Sequence, residues 1–213
     1  MKVTAVVPVY NEEKTIESVL RVLTSSEKVH EIIVVDDGST DGTLNIIKQF
    51  RVKVVVLKKN TGKGNAIRIA TRGVKSNIIL LIDGDLIGLK EEHIGKLLKP
   101  ILNEGAAMTI GLREKGNIFA NMLMPYFPLI GGERAILTKV FMEIRKNPLI
   151  GGWGLESVLN HYCKKKKLKV AKVRIYGMNH IGLQIKKYGF ISFLKEIYEV
   201  ALIRIKLLRI KYD

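Results

Sequence analysis

The chain has 213 residues, enough for one α/β domain with a sizeable core, and its 47% hydrophobic content excludes a disordered polymer. A formal net charge of +16, from 36 Lys+Arg against 20 Asp+Glu, favours anionic partners in general, whether nucleotides, phosphates, nucleic acid or acidic lipid. The single cysteine, Cys163, excludes an internal disulfide framework and a cysteine metal cluster, and is compatible with a reducing cytoplasm.

The opening "MKVTAVVPVYNEE" is apolar only briefly and is broken by Pro8, so it reads as a first strand rather than a signal peptide. Further strand-like runs follow at "EIIVVD" (31–36), "VKVVVL" (52–57) and "IILLID" (78–83). Between them lie helical patterns such as "EEKTIESVLRVL", where Ile16, Val19, Leu20 and Leu23 share a face. Continuous Val/Ile-rich strands alternating with helices predict a mostly parallel sheet covered on both sides, with ligands at the carboxyl ends of its strands. Beyond residue 105, "GAAMTIGLR" and "LKVAKVRIYG" read as strands, "GGERAILTKVFMEI" as a strand entering a helix, and "GLESVLNHYCKKKK" as a helix. The lysines at 164–167 suit a solvated helix end. A long helix is expected from about Tyr188 to Lys211, with Phe190, Leu194, Ile197, Tyr198, Ala201, Ile205 and Leu208 on one face. No apolar run reaches the ~18 residues of a membrane span. The expected division is a domain over 1–187 and an amphipathic helix over 188–213, which would pack on the domain, pair two copies or lie on a membrane surface.

Three stretches carry candidate chemistry. In "VVDDGSTDGT" (34–43), Asp41 suits a helix cap, while the adjacent Asp36 and Asp37 exceed what a turn requires and could accept hydrogen bonds from a ribose or a base edge. In "NTGKGNAI" (60–67), glycines around Lys63 would let the backbone approach a ligand next to a positive charge. It is neither a P-loop nor a dinucleotide fingerprint, since GxxxxGK[ST] and the third glycine are missing. In "NIILLIDGDL" (77–86), Asp83 and Asp85 are spaced to leave one side of a strand end. At ~6 Å and an effective dielectric of ~20 they repel by roughly 3 kcal/mol. A hard divalent cation, a shared proton or a nearby Lys/Arg would relieve that repulsion.

"VPVYNEE", "VVDDGSTDGT", "NTGKGNA" and "LIDGDL", in that order, resemble the nucleotide-sugar half of family 2 glycosyltransferases with the GT-A fold. The resemblance implies an α/β GT-A domain and an inverting, metal-dependent transfer from a nucleoside diphosphate sugar. It implies that Pro8, Tyr10, Glu12 and Asp37 line the base and ribose pocket, helped by Asp36 and Lys63. Asp83 and Asp85 would form a D-x-D pair for Mg²⁺ or Mn²⁺, with His180 as a further ligand. "TIGLREKG" and "GGERAIL" resemble segments of dolichyl-phosphate mannosyltransferase-like members, in which Arg113 and Arg134 would meet an acceptor phosphate. "GGWGLESVL" places Glu156 where such enzymes carry a general base, although the usual "ED" pair is reduced here to one acid; Trp153 would contact sugar or acceptor, or pack. The implied acceptor is a polyprenyl phosphate or a hydroxyl of a glycan or small molecule, on a protein of the cytoplasm or of the cytoplasmic membrane face. The alternatives are a sugar nucleotidyltransferase, whose glycine-rich first loop is absent, and a nucleic-acid binder, which would leave the acids at 36, 37, 83 and 85 unexplained; no nucleic acid is expected as partner.

Overall fold

The computed structural model describes residues 1–113, 132–152, 154–180, 202–207 and 210, with Arg113 and His180 described by their backbone alone. A seven-stranded sheet forms the centre, in the order β3-β2-β1-β4-β7-β6-β8. Its strands are β1 (Val3–Val9), β2 (Glu31–Asp36), β3 (Lys53–Val56), β4 (Ile78–Leu81), β6 (Met108–Arg113), β7 (Arg134–Leu137) and β8 (Val170–Ile175). Only β7 runs against the others, between β4 and β6. A two-stranded ribbon of β5 (Leu86–Ile87) and β9 (Asn179–His180) pairs Leu86 with His180.

The apolar strands β1, β2 and β4 are buried on both faces, as their continuous hydrophobic runs require, whereas β3 at the sheet edge leaves Val54 and Val56 exposed, against the expectation of cover on both sides. On one face Val3, Ala5, Val7 and Val9 meet helices α1 (Ile16–Ser25) and α4 (Glu91–Glu104). On the other, Val6, Ile79 and Leu81 meet α3 (Lys63–Ala70), α5 (Thr138–Ile144) and α6 (Gly154–Lys165). The short α2 (Thr43–Ile47) seals the first layer with Ile47. Ile16, Val19, Leu20 and Leu23 form the predicted apolar stripe of α1, all 0–1% exposed. Each such side chain contributes about 1.5–3 kcal/mol by leaving water.

Three sequence expectations need correction. β4 ends at Leu81, so Asp83 and Asp85 lie in the turn beyond it rather than on the strand. Gly84, between the two acids, reads in sequence as room for a donor to approach, yet a Cβ there would lie 2.5 Å from Val9 Cγ1 and 3.2 Å from Pro8 O, so the missing side chain lets the turn close on β1. In the C-terminal segment, residues 202–207 are helical, yet the line that packs inward is Ile203, Leu207 and Ile210, whereas Ile205 is 55% exposed. That segment carries two apolar stripes, and docking on the α6 side selects the other one. The remainder of the expected helix lies outside the described residues.

Candidate active site

The carboxyl ends of β1, β2, β3 and β4 share one edge, and β1 lies between β2 and β4, which makes the gap between β1 and β4 the point where the chain's winding reverses. The loops at that edge brace one another. Asn11, held at φ 56°, donates its backbone N–H to Ser39 Oγ at 3.0 Å and accepts from the Thr40 N–H at 2.8 Å. Glu12 N–H donates to Thr43 Oγ1 at 2.8 Å, and Glu13 Oε2 accepts from Gly42 N–H at 2.8 Å. Pro8, Tyr10 and Glu12 are half-buried at the end of β1.

Asp36 and Asp37, 1% and 3% exposed, have structural duties that the sequence reading denied them. Asp36 Oδ1 accepts from the Ser39 N–H at 2.9 Å and closes its own turn. Asp37 Oδ1 accepts from both the N–H and the hydroxyl of Thr61 at 2.8 Å, and its Oδ2 accepts from Gly62 N–H at 2.8 Å. Asp37 therefore latches the loop that delivers Lys63.

The glycines beside Lys63 serve that delivery. A Cβ on Gly64 would lie 1.8 Å from Ile150 O, and Gly64 N–H donates to Gly152 O at 3.3 Å. A Cβ on Gly62, held at φ 87°, would lie 3.3 Å from Gly152 Cα. They fit the start of α3 to the 150–152 segment, rather than to a ligand as their sequence suggested. Gly132 plays the same part on the other side, since a Cβ there would lie 2.2 Å from Asp83 Oδ2 and 2.9 Å from Lys63 Nζ.

The outcome is a bridged pair of acids. Lys63 Nζ lies 2.7 Å from Asp83 Oδ1, 3.0 Å from Asp83 Oδ2 and 3.3 Å from Glu156 Oε1. The three side chains are 21%, 16% and 10% exposed, so solvent screens them little. Burial alone would lower the Lys63 pKa, but the carboxylates of Asp83 and Glu156, with Glu133 further off, raise it above the usual lysine range. The ammonium thus stays charged and relieves the crowding at Asp83, the Lys/Arg solution to the repulsion problem.

Glu156 sits in the first turn of α6, 8% exposed. Arg134 opens β7 beneath the site and Glu133 immediately precedes it, both 0% exposed. Arg134 Nη1 donates to Asn160 Oδ1 at 2.9 Å and lies 3.7 Å from Met108 Sδ. This corrects the expectation of an acceptor-facing arginine: Arg134 is directed to the β6 and α6 layer. Glu133, Gly132 and Asn160 were missed by sequence reasoning; the one available signal was an acid–base dipeptide opening the otherwise apolar strand "RAIL".

Asp85 is half-buried in the turn before β5, and the pairing of Leu86 with His180 brings the His180 backbone beside it. Among the described residues no three His, Cys, Asp or Glu side chains converge as a complete metal cage. Two carboxylates in one turn suit a hard cation that keeps open positions for phosphate oxygens and water. Arg113 ends β6 at this same edge, whereas Trp153 and the side chain of His180 lie outside the described residues.

The fold and much of the sequence recur in other proteins. A glucosyl-3-phosphoglycerate synthase from Mycobacterium tuberculosis, solved with Mn²⁺ and UDP-glucose, superposes with TM-score 0.78 at 25% identity over 95% of this chain and 78% of that one. A dolichyl-phosphate beta-glucosyltransferase of Trichomonas vaginalis is 24% identical over 93% of this chain and 72% of its own. An undecaprenyl-phosphate 4-deoxy-4-formamido-L-arabinose transferase of Edwardsiella ictaluri is 33% identical over 42% of this chain and 31% of its own. The chain spans less than two thirds of several curated relatives, 64%, 31% and 59% of three of them. The sequence model described as Glycosyl transferase family 2 matches residues 4–144, from β1 through α5. On that match and the GT-A sheet beneath it, the chain belongs to glycosyl transferase family 2.

Proposed function

We propose that the protein is an inverting, metal-dependent glycosyltransferase that takes a UDP- or GDP-linked sugar and passes the sugar to an acceptor hydroxyl. The observation that carries this reading is the Lys63 ammonium set between Asp83 and Glu156. It joins a carboxylate of the type that holds a cation to one of the type that removes a proton. Mn²⁺ and UDP-glucose in the M. tuberculosis synthase support the donor side.

Asp83 and Asp85, with His180, would hold Mg²⁺ or Mn²⁺. When bound, the cation supplies Lewis-acid neutralisation of the departing diphosphate. Lys63 adds its own charge to the phosphate oxygens, and in turning to them it loosens its hold on Glu156. Glu156 then accepts the proton of the acceptor hydroxyl as that oxygen bonds to the anomeric carbon, while the bond from that carbon to the diphosphate oxygen breaks on the opposite side. Pro8, Tyr10 and Glu12 line the base and ribose side. Asp36 and Asp37 maintain that side by holding its loops. Arg113 and Trp153 would contact the acceptor, as the resemblance implies.

A second reading is favoured by the names of the dolichyl- and undecaprenyl-phosphate relatives. With a polyprenyl phosphate the nucleophile is already anionic, and Glu156 has no proton to remove. Among the described residues no helix is long and apolar enough to cross a membrane; the exposed Ile205 would be a contact with the membrane that carries such an acceptor.

Thermal shift with UDP-, GDP- and dTDP-sugars, with and without Mn²⁺, tests the donor side; no stabilisation by any of them would refute the proposal. Glu156→Gln, assayed by nucleotide release with undecaprenyl phosphate and with glycerol 3-phosphate as acceptors, separates the two readings. A loss of about 10²-fold or more is expected on the hydroxyl acceptor. A loss under about threefold would remove Glu156 as base.

A further inference from the structure

We propose that Arg134 is a positioning residue for Glu156: through Asn160 its guanidinium fixes α6 against β7, and with α6 the carboxylate that faces Lys63. The proposal rests on Glu156 being the base.

Arg134 stands at the middle of the sheet, paired with Leu81 of β4 on one side and Ile110 of β6 on the other. It is 0% exposed, on a strand whose Ile136, two residues on, packs in an apolar cluster. A guanidinium there is costly unless a partner uses it. Its Nη1 donates to Asn160 Oδ1 at 2.9 Å. Asn160 lies four residues beyond Glu156 on α6, so the two share a helix face.

Asn160 is itself out of place. Asparagine is a mediocre helix former in mid-helix. Among the described residues its buried amide Nδ2 has no hydrogen-bond partner. The contact with Arg134 accounts for its presence: an acceptor must point down from α6 to the sheet at that height. Burial pulls the Arg134 pKa down, and Glu156 is the foremost group opposing that pull. The arginine therefore holds α6 by a charged hydrogen bond and supplies positive charge beneath the base. Lys63 meets the same carboxylate from the donor side, 3.3 Å away.

The test compares Arg134→Met, Arg134→Lys, Asn160→Leu, Glu156→Gln and the double variant Arg134→Met/Glu156→Gln. Amide exchange over residues 155–160 reports the position of α6 without any substrate. Nucleotide release from UDP-glucose with Mn²⁺, and the affinity for that donor, report function. Arg134→Met and Asn160→Leu should each speed exchange in the first turns of α6 by about tenfold, the loss of one charged hydrogen bond. Turnover should fall about 10–100-fold while donor affinity changes less than about twofold. Arg134→Lys should recover part of both. Adding Arg134→Met to Glu156→Gln should cost less than about threefold more, because the arginine acts through that carboxylate.

Unchanged exchange in α6, a donor-affinity loss that matches the turnover loss, or fully multiplicative effects would overturn the proposal. Full activity of Glu156→Gln would instead remove the base assignment, and the exchange measurement would still decide whether Arg134 positions α6. If Arg134→Met does not fold, Asn160→Leu at a half-buried position carries the same test.

Discussion

Replacing Gly64 by alanine tests whether the close fit of α3 on the 150–152 segment builds the site. The new Cβ would lie 1.8 Å from Ile150 O, 2.9 Å from Ile150 C and 3.2 Å from Gly152 O, all backbone atoms that cannot rotate away. Real Cβ contacts essentially never fall under 3.0 Å, so the two segments must separate by at least about 1.2 Å. That movement stretches the Gly64–Gly152 hydrogen bond, now 3.3 Å, beyond use. Overpacking and one lost hydrogen bond together cost about 2–4 kcal/mol. For a chain of this size that corresponds to a fall in Tm of about 5–15 °C. Lys63, the next residue, moves with the helix start and leaves its place between Asp83 and Glu156. A misplacement of about 1 Å at reacting groups costs about 10²-fold in turnover. Urea unfolding followed by circular dichroism, together with nucleotide release, measures both effects. Gly73→Ala is the control, because nothing lies within 4 Å of a Cβ there. If Gly64→Ala matched that control within about 0.5 kcal/mol and kept its turnover, the packing account of the loop would be refuted.

Gly132→Ala should behave differently, since its Cβ meets the end of the Asp83 side chain at 2.2 Å rather than backbone. Stability should drop by less than about 1 kcal/mol, while stabilisation by Mn²⁺ with UDP-sugar falls sharply; a thermal-shift titration checks this. Asp37→Asn removes one of the acceptors that hold Thr61 and Gly62 and should cost about 2 kcal/mol without any ligand present. Unchanged urea stability would show that Asp37 serves the ligand alone. Burial pushes the Cys163 thiol up to about 11 against the opposing pull of Arg134, so the folded state keeps its proton after the unfolded thiol has lost it. The associated stability, at most about 2–3 kcal/mol, is complete below about pH 8.5 and is lost as pH rises toward about 11. Cys163→Ala should flatten that alkaline slope, and the native thiol, 1% exposed, should resist a thiol reagent at pH 8.

Much of this fold is written in local pattern. β2 coincides with "EIIVVD" and β1 falls within "MKVTAVVPVYNEE", because a strand buried on both faces reads as a nearly continuous apolar run. The positions of Lys63, Asp83 and Glu156 at loop ends were legible for the same reason. Their contact was not, since it depends on segments 20 and more residues apart. Glycines misled in one consistent way. Gly62, Gly64 and Gly84 all looked like room for a ligand, and each instead admits another part of the chain. A sequence shows that a Cβ is missing but not what fills the gap. Arg134 misled similarly: guanidinium suits phosphate, yet the strand's alternation turns this one into the layer that holds Ile136.

The reversed strand β7 has a consequence for how the molecule is made. As the chain leaves the ribosome, β1 to β4 can pair among themselves, and Lys63 already has Asp83 to neutralise it. Glu156 emerges roughly 4–15 s later at ordinary synthesis rates. Until β7 arrives, β4 presents its four apolar residues, Ile78 to Leu81, along an open hydrogen-bonding edge. Such an edge invites pairing with another nascent chain. Variants that weaken β7 should therefore be lost first to aggregation during synthesis, before any deficit in transfer can be measured.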